Sequence, residues 1–156
     1  MTQQKTGPTA EAEQSRGHAY PMQLDVEEDG GYVVTLPDIG YGATQGDSFD
    51  EALRQAEDML EEATLGMIAH NEEVPLPSPA KGRPVVRLPA LTAAKLELYR
   101  AMRETGLDAA QLAHRLGWPP KEISNILDGY HVVRLEQLEA ALNALGRRLV
   151  VTSEQA

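Results

Sequence analysis

The chain has 156 residues, 42% of them hydrophobic and none of them cysteine, with a formal net charge of -10. Without cysteine, neither a disulfide framework nor a thiolate metal site is available, and no stretch approaches the roughly 18 apolar residues of a membrane span. The charge is uneven: residues 18–80 hold fourteen Asp and Glu against the single basic residue Arg54, whereas residues 81–156 hold eleven Lys and Arg against eight acids.

The opening MTQQKTGPTAEAEQSRG has no apolar run, so it is expected to be neither a secretory signal nor part of a core. Residues 1–18 are expected to form a disordered arm on a cytoplasmic protein. From Ala19 the pattern alternates, with Met22, Leu24 and Val26 on one face and Gln23, Asp25 and Glu27 on the other, the period of a half-buried strand. Asp29-Gly30-Gly31 signals a tight turn and Tyr32 to Leu36 a second strand, so 20–36 is expected to be a hairpin. A short third strand is expected around Tyr41 to Thr44. Ser48-Phe49-Asp50-Glu51 then has the spacing of a capping box, in which Ser48 and Glu51 satisfy each other's backbone donors.

The helix so capped runs to about His70, and Phe49, Leu53, Ala56, Leu60, Ala63 and Met67 form its apolar stripe. Val74-Pro75-Leu76-Pro77-Ser78-Pro79 cannot continue it. Val85 to Leu88 is expected to return to the same sheet as a fourth strand. A helix laid on a small antiparallel sheet, β-β-β-α-β in order, buries both apolar faces.

A second domain begins near Leu91. Leu96, Tyr99 and Met102 mark its first helix, ended by Gly106, and Asp108 is placed to cap the next. Residues 107–129, LDAAQLAHRLGWPPKEISNILDG, carry the sharpest signal in the chain. Leu112, Ala113 and Leu116 share a face of one short helix ending at Gly117, and Ile123, Ile126 and Leu127 share a face of another, opened by Pro119-Pro120. Two such helices joined through a glycine make a helix-turn-helix, whose second helix enters the DNA major groove. Leu135, Leu138, Leu142 and Leu145 mark a last helix closed by Gly146. The β-rich tail Arg148 to Thr152 is expected to pair with another subunit, because a lone strand leaves unpaired edges.

No catalytic constellation is visible. His18, His70, His114 and His131 do not pair at metal-ligand spacing, and neither an HExxH pattern nor a nucleophile elbow exists. Trp118 is expected in the core.

The features YVVTLPDIGYGATQGDSFDEAL at 32–53, VPLPSP at 74–79, the helix-turn-helix at 107–129 and LEQLEAALNALGRRLVV at 135–151 occur in an order that resembles HicB-type antitoxins, helix-turn-helix branch. The resemblance implies an α+β chain: a partial RNase-H-like toxin-binding domain over 19–89 and an all-α helix-turn-helix DNA-binding domain with a C-terminal strand over 90–152. It implies two partners, a small basic HicA-type mRNA-cleaving toxin and operator DNA, with a homodimer or higher oligomer, and no membrane, cofactor or metal. The acidic segment suits a basic partner, since complementary charge speeds encounter and selects the partner. Asp38, Tyr41, Asp47 and Glu51 are the candidate toxin contacts. Lys121, Glu122, Ser124 and Asn125 are the candidate base readers and Arg134 a candidate phosphate contact. Two departures stand out: Ala109 replaces a glutamine frequent in such repressors, and Pro119-Pro120 removes a polar position at the start of the reading helix.

Two other readings compete. One is a stand-alone helix-turn-helix regulator whose N-terminal domain senses a protein or ligand. The other is a nuclease, since ribonuclease-H chemistry holds two metal ions with clustered carboxylates. Asp25, Glu27, Asp38 and Asp47 are acidic, but Asp25 and Glu27 face away from the apolar side of their strand. No enzymatic activity is expected.

Overall fold

The computed structural model describes residues 17–40 and 42–155. The arm expected over 1–18 therefore lies almost wholly outside the described residues, and Tyr41 lies outside them too. The chain is a mixed α+β protein with two compact units: one takes the residues up to Ala63 plus Val74–Leu88, the other Thr64–Glu73 and everything from Pro89 onward.

The first unit contains β1 (Ala19–Pro21), β2 (Gln23–Val26), β3 (Tyr32–Thr35), β4 (Thr44–Gly46) and β5 (Val85–Arg87), with α1 (Phe49–Ala69) beginning in it. The expected hairpin forms between β2 and β3, in antiparallel register with Gln23 opposite Thr35 and Val26 opposite Tyr32. β4 adds to β3, with Tyr32 opposite Gly46. β1 does not join this sheet. It pairs antiparallel with β5, Tyr20 opposite Val86, so the last strand of the unit makes a separate two-stranded sheet rather than returning to the first. The switch falls at Met22, whose amide donates to Pro84 O at 2.8 Å.

Burial follows this break. Tyr20, Met22, Val34, Leu36, Ile39, Val86 and Leu88 are buried. Val26, expected on the inward face, is 70% exposed at the end of an edge strand. The third strand lies two or three residues later than expected, and a close approach explains why. A Cβ at Gly46 would stand 2.4 Å from the backbone N of Ala52, so only glycine lets β4 pass against the first turn of α1.

That first turn is capped differently from the expectation. Ser48 Oγ accepts from the amide of Glu51 at 3.2 Å, but the Glu51 carboxylate accepts from the amide of Asp47 at 2.9 Å rather than from Ser48. The buried stripe of α1 is Ala52, Ala56, Leu60, Thr64, Met67 and Ile68, rotated from the one expected. Phe49 is 42% exposed and meets Tyr32 edge to face, with ring centroids 6.4 Å apart. The loop after β3 is clasped to the proline-rich segment, since Asp38 Oδ2 accepts from the Ser78 amide at 2.9 Å and from Ser78 Oγ at 3.0 Å.

The second unit holds α2 (Ala90–Thr105), α3 (Ala109–Leu116), α4 (Glu122–Leu127) and α5 (Leu135–Ala144). Leu98, Met102, Leu112, Ala113, Ile123, Ile126, Leu138 and Leu142 form one buried cluster. Trp118 packs against it while only partly buried. The tail after Gly146 forms no strand among the described residues; Leu149 packs on the core, and Val150 and Val151 are exposed.

Two glycines separate close packing from helix propensity. Gly46→Ala is expected to destabilise the protein by about 1–3 kcal/mol, because the new methyl meets backbone rather than a movable side chain. Gly66→Ala, inside α1 with nothing within 4 Å of the added carbon, is expected to stabilise it by about 0.5–1 kcal/mol. Urea denaturation of both variants checks the pair of signs.

Candidate functional site

The helix-turn-helix is built from local signals that act in sequence. Asp108 caps α3: its Oδ1 accepts from the Gln111 amide at 2.7 Å, and Gln111 Oε1 accepts from the Asp108 amide at 2.9 Å. The helix stops at Gly117, which takes φ 68°, a left-handed conformation in which a side chain is strained. There the amide of Gly117 donates to His114 O at 3.1 Å and that of Trp118 to Ala113 O at 2.9 Å. Pro119 and Pro120 lie in the turn ahead of α4, not in its first helical turn, and the Glu122 amide donates back to Pro119 O at 3.0 Å. Buried Leu112 and Ala113 from α3 and Ile123 and Ile126 from α4 enter the same cluster, which fixes the angle between the two helices.

The opposite side of α4 is polar. Lys121 and Ser124 are exposed and Asn125 is half-buried. Glu122 is half-buried and engaged, because its Oε1 accepts from Gln137 Nε2 at 2.8 Å. The other end of that amide, Gln137 Oε1, accepts from the backbone N of Arg134 at 3.1 Å. Gln137 thus joins the start of α5 to the start of α4. Arg134 is exposed and borders a shallow hollow with Trp118, Glu136 and Gln137. Lys121, just ahead of α4, and Ser124 on it are therefore exposed, with Asn125 half-buried beside Ser124, whereas Glu122 is engaged with Gln137.

Two residues that hold α4 were not singled out in the sequence: Gln137, and Lys95, whose Nζ donates to Asp128 O at the end of α4 at 2.8 Å. The signal for Lys95 was present: it sits at the helical register of Leu91, Leu98 and Met102, where an apolar residue is expected.

In the first unit, Asp47 is exposed, while Asp38 and Glu51 are occupied by the hydrogen bonds described above. Asp25 and Glu27 are exposed on and just after β2. Among the described residues no three His, Asp or Glu converge as a metal-binding group, and no helix is long and apolar enough to cross a membrane.

Comparison with known proteins agrees with both units. Residues 19–97 match the family model for the HicB-like antitoxin of bacterial toxin-antitoxin systems, and residues 91–154 match a helix-turn-helix domain. Antitoxin HicB 2 of Photorhabdus laumondii is 38% identical over 135 residues, which cover 86% of this chain and 96% of that protein. Antitoxin HicB of Escherichia coli K12 is 33% identical over 131 residues, 83% and 95% of the two chains. Antitoxin HicB of Pseudomonas fluorescens Pf0-1 is 35% identical over 140 residues, 88% and 96%. With an acidic sheet-and-helix unit followed by a helix-turn-helix, and with relatives matched along most of their length, the chain belongs to the HicB antitoxin family.

Proposed function

We propose that this chain is an antitoxin that neutralises a small, basic HicA-type mRNA-cleaving toxin and represses its own operon through the helix-turn-helix. The observation that carries this reading is the pairing, in one chain, of a HicB-like segment with a capped and packed helix-turn-helix. Residues 19–89 bind the toxin and 90–152 bind DNA. The protein acts in the cytoplasm as a stoichiometric inhibitor, without a catalytic step.

Charge supports the division. The segment 18–80 carries fourteen acids against one base, a field that attracts a basic partner and repels DNA. Asp47 is exposed for such an encounter, and Tyr41 is assigned with it. Asp38 and Glu51 act there mainly by holding the loops they hydrogen-bond. On the DNA side, Lys121 reaches guanine acceptors, Asn125 pairs with adenine, Ser124 serves base or phosphate, and Arg134 contacts phosphate. Glu122 orients α4 through Gln137. A homodimer places two such helices on half-sites about 34 Å apart.

Lys121→Ala or Asn125→Ala is expected to weaken operator binding by about 1–3 kcal/mol while leaving toxin neutralisation intact. Electrophoretic mobility shift and RNA-cleavage assays on the same preparations check both halves. Loss of neutralisation by a folded variant would contradict the division of labour. Asp58→Lys with Glu62→Lys, both exposed on α1, is expected to slow toxin association about two- to tenfold at low salt and to flatten its salt dependence. Stopped-flow association rates across a salt series measure this; rates indifferent to salt in the unmodified protein would remove steering from the account.

A further inference from the structure

Lys95 is 2% exposed, the one charged residue among the buried residues of α2. A buried ammonium carries a large desolvation cost unless its protons are matched. Here Nζ donates to Asp128 O at 2.8 Å and to His131 O at 3.4 Å. Asp128 is the residue that closes α4. Its Oδ1 accepts from the Tyr130 amide at 2.9 Å, and its carbonyl accepts from the His131 amide at 3.3 Å. The exit of α4 and the turn after it are therefore gathered around one cation. Carbonyls at a helix C-terminus are a favourable place for it.

The turn so held points two side chains outward. Tyr130 is 99% exposed and Val132 95%. Exposed apolar groups on a loose loop need no explanation, but these stand on a turn tied to the core by a lysine whose burial is costly. A methionine of similar length would fill the space without that cost, but it could not donate to the Asp128 and His131 carbonyls that Lys95 holds.

We propose that Lys95 is a positioning residue for DNA binding, holding the turn after α4 so that the Tyr130 hydroxyl meets a phosphate and Val132 lies against the sugar next to it. This rests on the DNA-binding reading above. The six-residue α4 is short and one of its polar side chains, Glu122, is taken by Gln137. Orientation on the duplex must then come largely from backbone contacts, which make up half to two-thirds of protein–DNA hydrogen bonds. The turn is continuous with α4 and leads directly to the exposed Arg134.

The test uses the full chain and a duplex covering the promoter of its own operon, with affinity read by fluorescence anisotropy at fixed salt. Lys95→Met is expected to lose about tenfold or more in affinity and to speed amide exchange at 129–134 while α3 stays protected. Tyr130→Ala is expected to lose a comparable factor, and the double variant little more than either alone, because both act through the same turn. A folded Lys95→Met protein with unchanged affinity overturns the proposal. Tyr130 is wholly exposed, so Tyr130→Ala still decides if Lys95→Met fails to fold. Unchanged affinity in Tyr130→Ala, alone or with a lowered mass in solution that marks the turn as a protein contact, overturns it as well. Failure of the unmodified chain to bind the duplex removes the DNA-binding reading itself, a result distinct from either.

Discussion

The second unit depends on the packing of Leu112 and Ala113 from α3 against Ile123 and Ile126 from α4, within the cluster completed by α2 and α5. Neither helix persists alone: at eight and six residues both fall below the ~12–15 residues at which isolated helices become marginal. Tertiary burial supplies the difference. Each fully buried Leu or Ile contributes about 1.5–3 kcal/mol, against roughly 1 kcal/mol for the Asp108 cap. The core therefore decides whether the motif exists, and cap and glycine decide where α3 begins and ends. Gly117 in its left-handed conformation turns the chain within one residue, and the prolines keep the turn from joining the helices into one.

The first unit relies on close approach and clasps. Gly46 lets β4 pass the start of α1, and Asp38 holds the proline-rich segment through two hydrogen bonds to Ser78. Arg83 extends the clasp, with Nη2 donating to Ser78 Oγ at 3.4 Å and to Pro79 O at 3.1 Å. Proline-rich backbone makes few ladder bonds, so side chains take over the task of holding it. The acids left on the surface then determine the charge presented to a partner.

The helices were largely legible in the sequence because their ends carry chemistry: Ser48, Asp108, Gly106, Gly117 and Gly146 all mark termini found in the structure. The strands were less so. Alternation through Met22, Leu24 and Val26 looks the same whether one strand continues or two strands in different sheets abut, because period 2 reports faces and not hydrogen-bond partners. The rotated stripe of α1 has a similar cause. Ala52 and Thr64 give weak hydrophobic signals, yet small residues are what a close approach selects. At the candidate site, Lys121, Ser124 and Asn125 were read from their place at the start and middle of the second helix, and of these Lys121 and Ser124 are exposed. Lys95 stands out in the sequence only as a charge at an apolar register; its partner and that of Gln137 lie 33 and 15 residues away along the chain, and no local spacing announces those pairings.

Family membership, the acidic first segment and the packed helix-turn-helix support the proposal of one chain with two kinds of partner. The most direct test of that account is co-expression with a small basic HicA-type toxin, the product of a neighbouring gene being the first candidate, followed by co-purification and an RNA-cleavage assay. The account predicts a stable complex in which cleavage is silenced in proportion to the antitoxin added. Undiminished cleavage in the presence of excess folded antitoxin, or no complex at all, would contradict it.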